Sequence, residues 1–173
     1  MNLSRMMFTV IVFLFVPSIL FAQVGFTAGN DYGIGLIGQV GTYGAKLEVG
    51  GGVTPIFFYC QVIGGSDITE FWFPFCAGAK INIALSDVKD PNRLALKFGV
   101  NYNQILKIGF GGGVDYTIAT APSIILSGGI QYYPDAKQGC IDKLNEGRTS
   151  KYTDITVSLV EFHPFVSISV LFD

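Results

Sequence analysis

Between positions 93 and 118 apolar and polar residues alternate almost without interruption. Leu94, Leu96, Phe98, Val100 and Tyr102 take turns with Arg93, Ala95, Lys97, Gly99, Asn101 and Asn103. After a join near 103–105, Leu106, Ile108, Phe110, Val114, Tyr116 and Ile118 take turns with Lys107, Gly109, Gly111, Gly113, Asp115 and Thr117. Period-two alternation of this length predicts two strands, each with one apolar and one polar face. The apolar face is bulky and aromatic; the other carries charges, amides and glycines. A soluble sandwich would turn the apolar face to its core, and a barrel in lipid would turn it outward.

The same rhythm recurs along the chain. A strand is predicted over 33–41, with Ile34, Leu36 and Val40 on one face and Thr42-Tyr43-Gly44 as its turn. In 45–53, Ala45, Leu47 and Val49 alternate with Lys46, Glu48 and Gly50. Beyond Pro55, residues 56–63 read as a third strand, and Gly64-Gly65-Ser66-Asp67 as a turn. The stretch 71–85 reads as a fourth, its Ile81, Ile83 and Leu85 out of phase with Lys80, Asn82 and Ala84. Pro74 implies a bulge or a turn-proximal site there, since proline cannot donate to a ladder. Polar loops at 86–92 and at Thr120-Ala121-Pro122 bracket the opening pair, and 123–133 follows as a seventh strand.

Residues 135–151 are the longest polar stretch and are expected to be a mobile external loop with at most a short helical turn. In 152–172, Ile155, Val157 and Leu159 keep one phase and Phe162, Val166, Ile168, Val170 and Phe172 the other. A bulge there gives eight strands, a turn nine or ten. Membrane barrels favour even counts, so eight is expected, with ten as the alternative.

Composition decides which way the faces point. Residues 1–22 read as a cleaved signal peptide: Arg5, an apolar run over 6–16 broken only by Thr9, then Pro17 and a small residue at Ala22. The apolar run is shorter than the ~20 residues of a membrane-spanning helix. Residues 23–173 then form one domain with a small negative net charge, which gives no reason to expect a nucleic-acid partner. Hydrophobic residues make up 50% of the chain, mean hydropathy is +0.47, and charged residues are only 14%. An exported chain this apolar, with its apolarity spread over alternating positions, predicts an all-β fold: a single antiparallel up-and-down transmembrane β-barrel.

With the apolar face outward, the inward set includes Lys46, Glu48, Lys80, Asn82, Arg93, Lys97, Asn101, Asp115 and Glu161, with Gly109, Gly111 and Gly113 making room among them. An eight-stranded barrel is only wide enough to be filled by side chains. Lys97 and Arg93 are therefore expected to pair with Asp115 or Glu48, because an unpartnered buried charge costs several kcal/mol. Such a plug argues against a porin. Tyr102, Tyr116, Tyr132 and Phe172, near the predicted strand ends, are expected to form aromatic girdles.

The signal, the glycine-rich alternating strands and a last strand of Val166, Ile168, Val170 and Phe172 together resemble the small outer-membrane β-barrel family of OmpA/OmpX type. The resemblance implies the outer membrane of a Gram-negative bacterium, with termini on the periplasmic side and longer loops outside. It also implies that the last strand is read by the barrel assembly machinery, here with Asp173 after the aromatic.

Candidate chemistry is sparse. Cys60 and Cys76 are equidistant from Ile68 and could face each other across a hairpin, although their neighbours place them on opposite faces; with Cys140 they could equally be unbridged thiols. His163 shares a face with Glu161, Ser167 and Ser169, which raises a lipid-modifying barrel enzyme. Ser167 lies about 13 Å from His163 along an extended strand, however, too far for a hydrogen bond. Residues 109–113 lack the lysine and hydroxyl of a phosphate loop. No cofactor, metal or catalytic residue is therefore expected. The function expected is that of a non-catalytic envelope component or accessory subunit, contacting a protein partner through 135–151. The alternatives are the His163 enzyme and a soluble periplasmic ligand-binding barrel.

Overall fold

A computed structural model of the chain describes residues 23–62, 68–87, 89–147, 152, 155–156 and 161–172. The signal-like segment 1–22, the turn at Gly64-Gly65-Ser66-Asp67, the Cys60 side chain, Val157 and Leu159, and Asp173 lie outside that description.

Eleven strands and one helix are described: β1 (Gln23–Gly29), β2 (Ile34–Gly41), β3 (Ala45–Val53), β4 (Ile56–Val62), β5 (Ile68–Trp72), β6 (Phe75–Ala84), β7 (Arg93–Asn103), β8 (Lys107–Ile118), β9 (Ser123–Tyr132), α1 (Ala136–Leu144), β10 (Ile155–Thr156) and β11 (Phe162–Phe172). Eight of the strands close into an antiparallel barrel in the order β1-β11-β9-β8-β7-β6-β3-β2. Closure runs through β1, which pairs with β11 (Val24 opposite Phe172) and with β2 (Phe26 opposite Leu36). All neighbours are consecutive in the chain except at two excursions: β4 and β5 leave between β3 and β6, and α1 and β10 between β9 and β11.

Several expectations are corrected. The barrel begins one strand earlier than 33–41, because Phe26 and Ala28 alternate with Thr27 and Gly29 on β1. The described part of 56–63, residues 56–62, holds no barrel strand; β4 instead pairs with β5 and β10 in a separate three-stranded sheet. The stretch 71–85 is divided at Phe73 and Pro74, where the chain crosses from that sheet back into the barrel at β6. Among the described residues of 152–172 there are two strands, but β10 belongs to the small sheet, so the barrel count stays at eight. Within β11, Phe165, Ser167, Ser169 and Leu171 are buried while Phe162, Pro164, Val166, Ile168 and Phe172 are exposed, a single unbroken phase.

The part of segment 135–151 that is described, 135–147, is more than a loop with one short helical turn. It holds the nine-residue helix α1, whose Ala136, Cys140, Ile141 and Leu144 are buried on one face. They pack with Trp72 of β5, Tyr133, and Ile105 and Leu106 of the β7–β8 turn into an apolar cluster. This cluster and the small sheet form a cap at one barrel end. Leu106 is thus a cap residue rather than part of the outward stripe of β8. The turn beneath it is fixed by Asn103, whose Oδ1 accepts the backbone N–H groups of Ile105 (2.9 Å) and Leu106 (3.1 Å). The opposite end carries the short connections 42–44, 85–92 and 119–122, beside the start of β1 and the end of β11.

Candidate functional site

Along each barrel strand the outward positions are apolar and exposed. Phe26 (62% exposed), Leu36 (59%), Ile130 (58%) and Val166 (73%) come from four different strands. The inward positions hold Glu48, Lys80, Asn82, Lys97, Asn101 and Asp115, all buried. The site is this filled lumen together with its two ends.

Lys97 is its hub. Its Nζ lies 2.8 Å from Glu48 Oε1 and 3.0 Å from Asp115 Oδ1, and donates to Ser127 Oγ at 3.2 Å. Glu48 is held by three further donors: Gln39 Nε2 at 2.7 Å, Asn82 Nδ2 at 3.1 Å and the Tyr32 hydroxyl at 3.1 Å. Asn82 Nδ2 also reaches Asp115 Oδ2 at 3.0 Å, so one amide bridges two carboxylates. Nearer the cap, Lys80 pairs with Asp31, and Asp31 Oδ1 accepts Gln131 Nε2 at 2.5 Å. The Lys80 ammonium also sits 4.5 Å from the Tyr32 ring centre and 4.7 Å from that of Phe165. Gln131 Oε1 accepts the Tyr133 hydroxyl at 2.9 Å, which ties the lumen network to the cap. Burial pushes the Tyr32 phenol far up, with Glu48 adding to the shift, and burial raises that of Tyr133, so both remain protonated donors.

The geometry sorts the residues singled out from the sequence. Glu48, Lys80, Lys97 and Asp115 take part in buried ion pairs, and Asn101 is buried beside inward Gly78. Arg93 does not join those ion pairs, and Lys46 is tied to Glu48 through Gln39. Lys46 stands at the open end, donating to Gln23 Oε1 (3.1 Å) and Gln39 Oε1 (3.3 Å). Arg93 is only partly buried at the rim, its guanidinium 4.1 Å from the Tyr43 ring centre. Both sit where strands meet short turns, so their long side chains reach the mouth. Glu161 is exposed in the bend before β11 and does not face inward. Of the aromatics, Tyr102 and Tyr132 are exposed toward the cap end, and Tyr116 and Phe172 toward the other. Tyr132 packs on Phe162 (4.8 Å) and Phe172 on Phe26 (6.3 Å).

Asp31, Tyr32, Gln131 and Phe165 were not singled out, yet they complete the network. Asp31 and Tyr32 sit in a turn, outside any alternating run. Gln131 and Phe165 keep the inward phase of β9 and β11, which is the signal that could have found them. The inward glycines serve these aromatics as much as the lysines. A Cβ on Gly50 would lie 2.8 Å from the Tyr32 ring, and one on Gly109 2.5 Å from that of Tyr133. Gly50→Val is therefore expected to displace Tyr32 from Glu48 and cost about 1–3 kcal/mol, read as a lower urea midpoint.

His163 is half-buried on β11 with its ring edge-on to Tyr133 at 5.7 Å, and Ser169 Oγ donates to Thr27 Oγ1 at 3.0 Å. Cys76 is a buried free thiol 2.9 Å from Thr54 Oγ1, so no Cys60–Cys76 bridge forms. The class that the geometry defines is a closed eight-stranded antiparallel β-barrel with a side-chain-filled lumen and a helix-bearing cap. The chain matches no protein-family profile, no curated protein and no solved structure.

Proposed function

We propose that this protein is a non-catalytic integral barrel of the Gram-negative outer membrane, OmpA/OmpX-like, exported by residues 1–22 and assembled through its last strand. One observation carries the reading: the barrel is inside-out relative to a soluble protein, with ion pairs enclosed and phenylalanine, valine, isoleucine and leucine exposed on the strands. Water-soluble monomers rarely expose a contiguous apolar patch beyond a few hundred Å². A lipid-facing barrel requires one around its whole girth. Barrel strands of 7 to 12 residues suit a hydrocarbon core that takes roughly 9–11 tilted residues to cross. Tyr102 and Tyr132 then mark one lipid–water boundary, and Tyr116 and Phe172 the other. A soluble ligand-carrying barrel needs the opposite arrangement, with an apolar interior to receive its ligand.

With the chain ends in the periplasm, the cap lies outside the cell. There it offers an envelope-interaction surface or a docking face for a larger complex. The contact surface is the exposed side of the cap rather than the whole segment 135–151, since removing α1 would uncover Trp72, Ile105 and Leu106. Exchanges at Gln138 and Asp142, both exposed on α1, probe it without touching the core.

Separation of native membranes tests the assignment. The protein is expected to stay with the outer-membrane fraction through alkaline and urea washes, to need detergent for release, and to migrate faster on a gel when unheated. Release by the washes alone would end the membrane reading.

A further inference from the structure

The outward stripe of the barrel does not stop where β6 begins. Phe71 (55% exposed), Phe73 (64%) and Phe75 (50%) alternate with Trp72, Pro74 and Cys76, all buried. Period two thus runs without a slip from β5 of the cap, through the crossing at Phe73 and Pro74, into β6. The crossing is fastened to the barrel rim. Thr54 N–H donates to the Pro74 carbonyl at 3.0 Å, and Gln104 N–H to that of Phe75 at 2.9 Å. The Phe71 and Phe73 rings meet edge to face, their centres 4.9 Å apart.

Together with Tyr102, these two rings line a cleft of about 510 Å³. Its lining also takes in Lys107 and, from α1, Asp142, Lys143 and Glu146. Lys107 stands on the cap side of Tyr102, since Tyr102 pairs with Ile108 and Asn103 with Lys107. Aromatic rings next to the barrel, with long charged side chains beyond them, is the order found at a lipid–water boundary. The core of the cap is built from Trp72, Ile105, Leu106 and α1 without Phe71 or Phe73.

We propose that the crossing at 71–73 is a membrane anchor, with Phe71 and Phe73 sunk among the lipids of the cap-side leaflet. The cap is then held against the bilayer on its β5 side and turns only its remaining surface to solvent or to a partner. This anchor rests on the membrane reading, because it prolongs the stripe of Val53 and Phe75, opposite each other on β3 and β6.

The test is nuclear magnetic resonance of the isotope-labelled full chain in phospholipid nanodiscs, reading contacts between ring protons and acyl-chain methylene protons. Phe98, outward at the middle of β7, is the control. Phe71 and Phe73 are expected to show acyl contacts as Phe98 does. They should also lose more signal to a nitroxide carried on lipid than to a relaxation agent dissolved in the water. Contacts at Phe98 with none at Phe71 and Phe73 overturn the anchor and leave the barrel in lipid. Contacts at none of the three overturn both. Rings shielded from lipid and water alike, by a second copy or another protein, also overturn the anchor. Phe73→Ser gives a second measurement: amide exchange over Ile68–Trp72 should quicken at least about tenfold as the buried ring is lost, with β9 unchanged. A ring already in water would change that exchange by less than about twofold, and this result too overturns the anchor.

Discussion

Exchanging Lys97 for methionine is expected to destabilise the barrel by about 3–5 kcal/mol, the range for breaking a buried ion pair by removing one partner. Lys97 is the cation shared by Glu48 and Asp115, at 2.8 and 3.0 Å, and all three side chains are at most 2% exposed. Methionine fills much of the same volume but leaves two carboxylates side by side, bonded to Asn82, Gln39, Ser127 and Tyr32, with Lys80 acting on Glu48 from further away. Urea unfolding of protein refolded into lipid vesicles, followed by the gel shift between folded and unfolded forms, measures the loss. The triple exchange Lys97→Met, Glu48→Gln, Asp115→Asn removes the stranded charges and should recover most of the stability, since well-packed neutral replacements of buried ion pairs are often harmless. An unchanged midpoint for Lys97→Met alone would mean that the network is wet in solution. Fluorescence of Trp72, the chain's single tryptophan, reports the cap and separates cap loosening from barrel unfolding.

Val49→Arg is the second large effect. Val49 lies midway along β3, outward and 53% exposed, flanked on the adjoining strands by Gly38 and Ala79. In lipid, an arginine at the bilayer midplane costs about 2–4 kcal/mol, falling to about 0–1 near the interfaces. Leu85→Arg, just past the end of β6 and equally exposed, is thus expected to be nearly neutral. In water both changes would fall within about 0.5 kcal/mol of the native protein. Equal effects at the two positions would therefore count against the lipid-facing assignment, and a gradient with depth would support it.

The parts of the molecule that the sequence revealed least are those whose neighbours are far away in the chain. Residues 56–62 have the length and composition of a barrel strand. They leave the barrel because β3 finds its partner in β6 (Glu48 opposite Lys80), while β4 pairs with β5. Local pattern carries no information about which partner wins. Helix α1 was hidden by its charges and by Gly139. Yet Ala136, Cys140, Ile141 and Leu144 fall at helical spacing on one face, a period that a search for alternation passes over. Gly139 itself brings the helix against the β7–β8 turn, where a Cβ would meet the Ile105 carbonyl oxygen. Asp31 escaped notice because a carboxylate in a turn reads as solvated; only barrel closure puts it beside Lys80 and Gln131.

The sequence by itself determined that the chain is all-β, that an antiparallel barrel suits it, and that Lys97 and Asp115 lie on one face of their strands with Phe98 and Val114 on the other. Period-two geometry is local, and a strand has no other way to place consecutive side chains. The tertiary structure alone decided which alternating segments close the ring, that Lys97 meets Glu48 from a strand two places away, and that Arg93 stays at the rim on Tyr43. Those outcomes depend on register and on the distance across the lumen. Both are set only when β1 meets β11, more than a hundred residues apart in the chain.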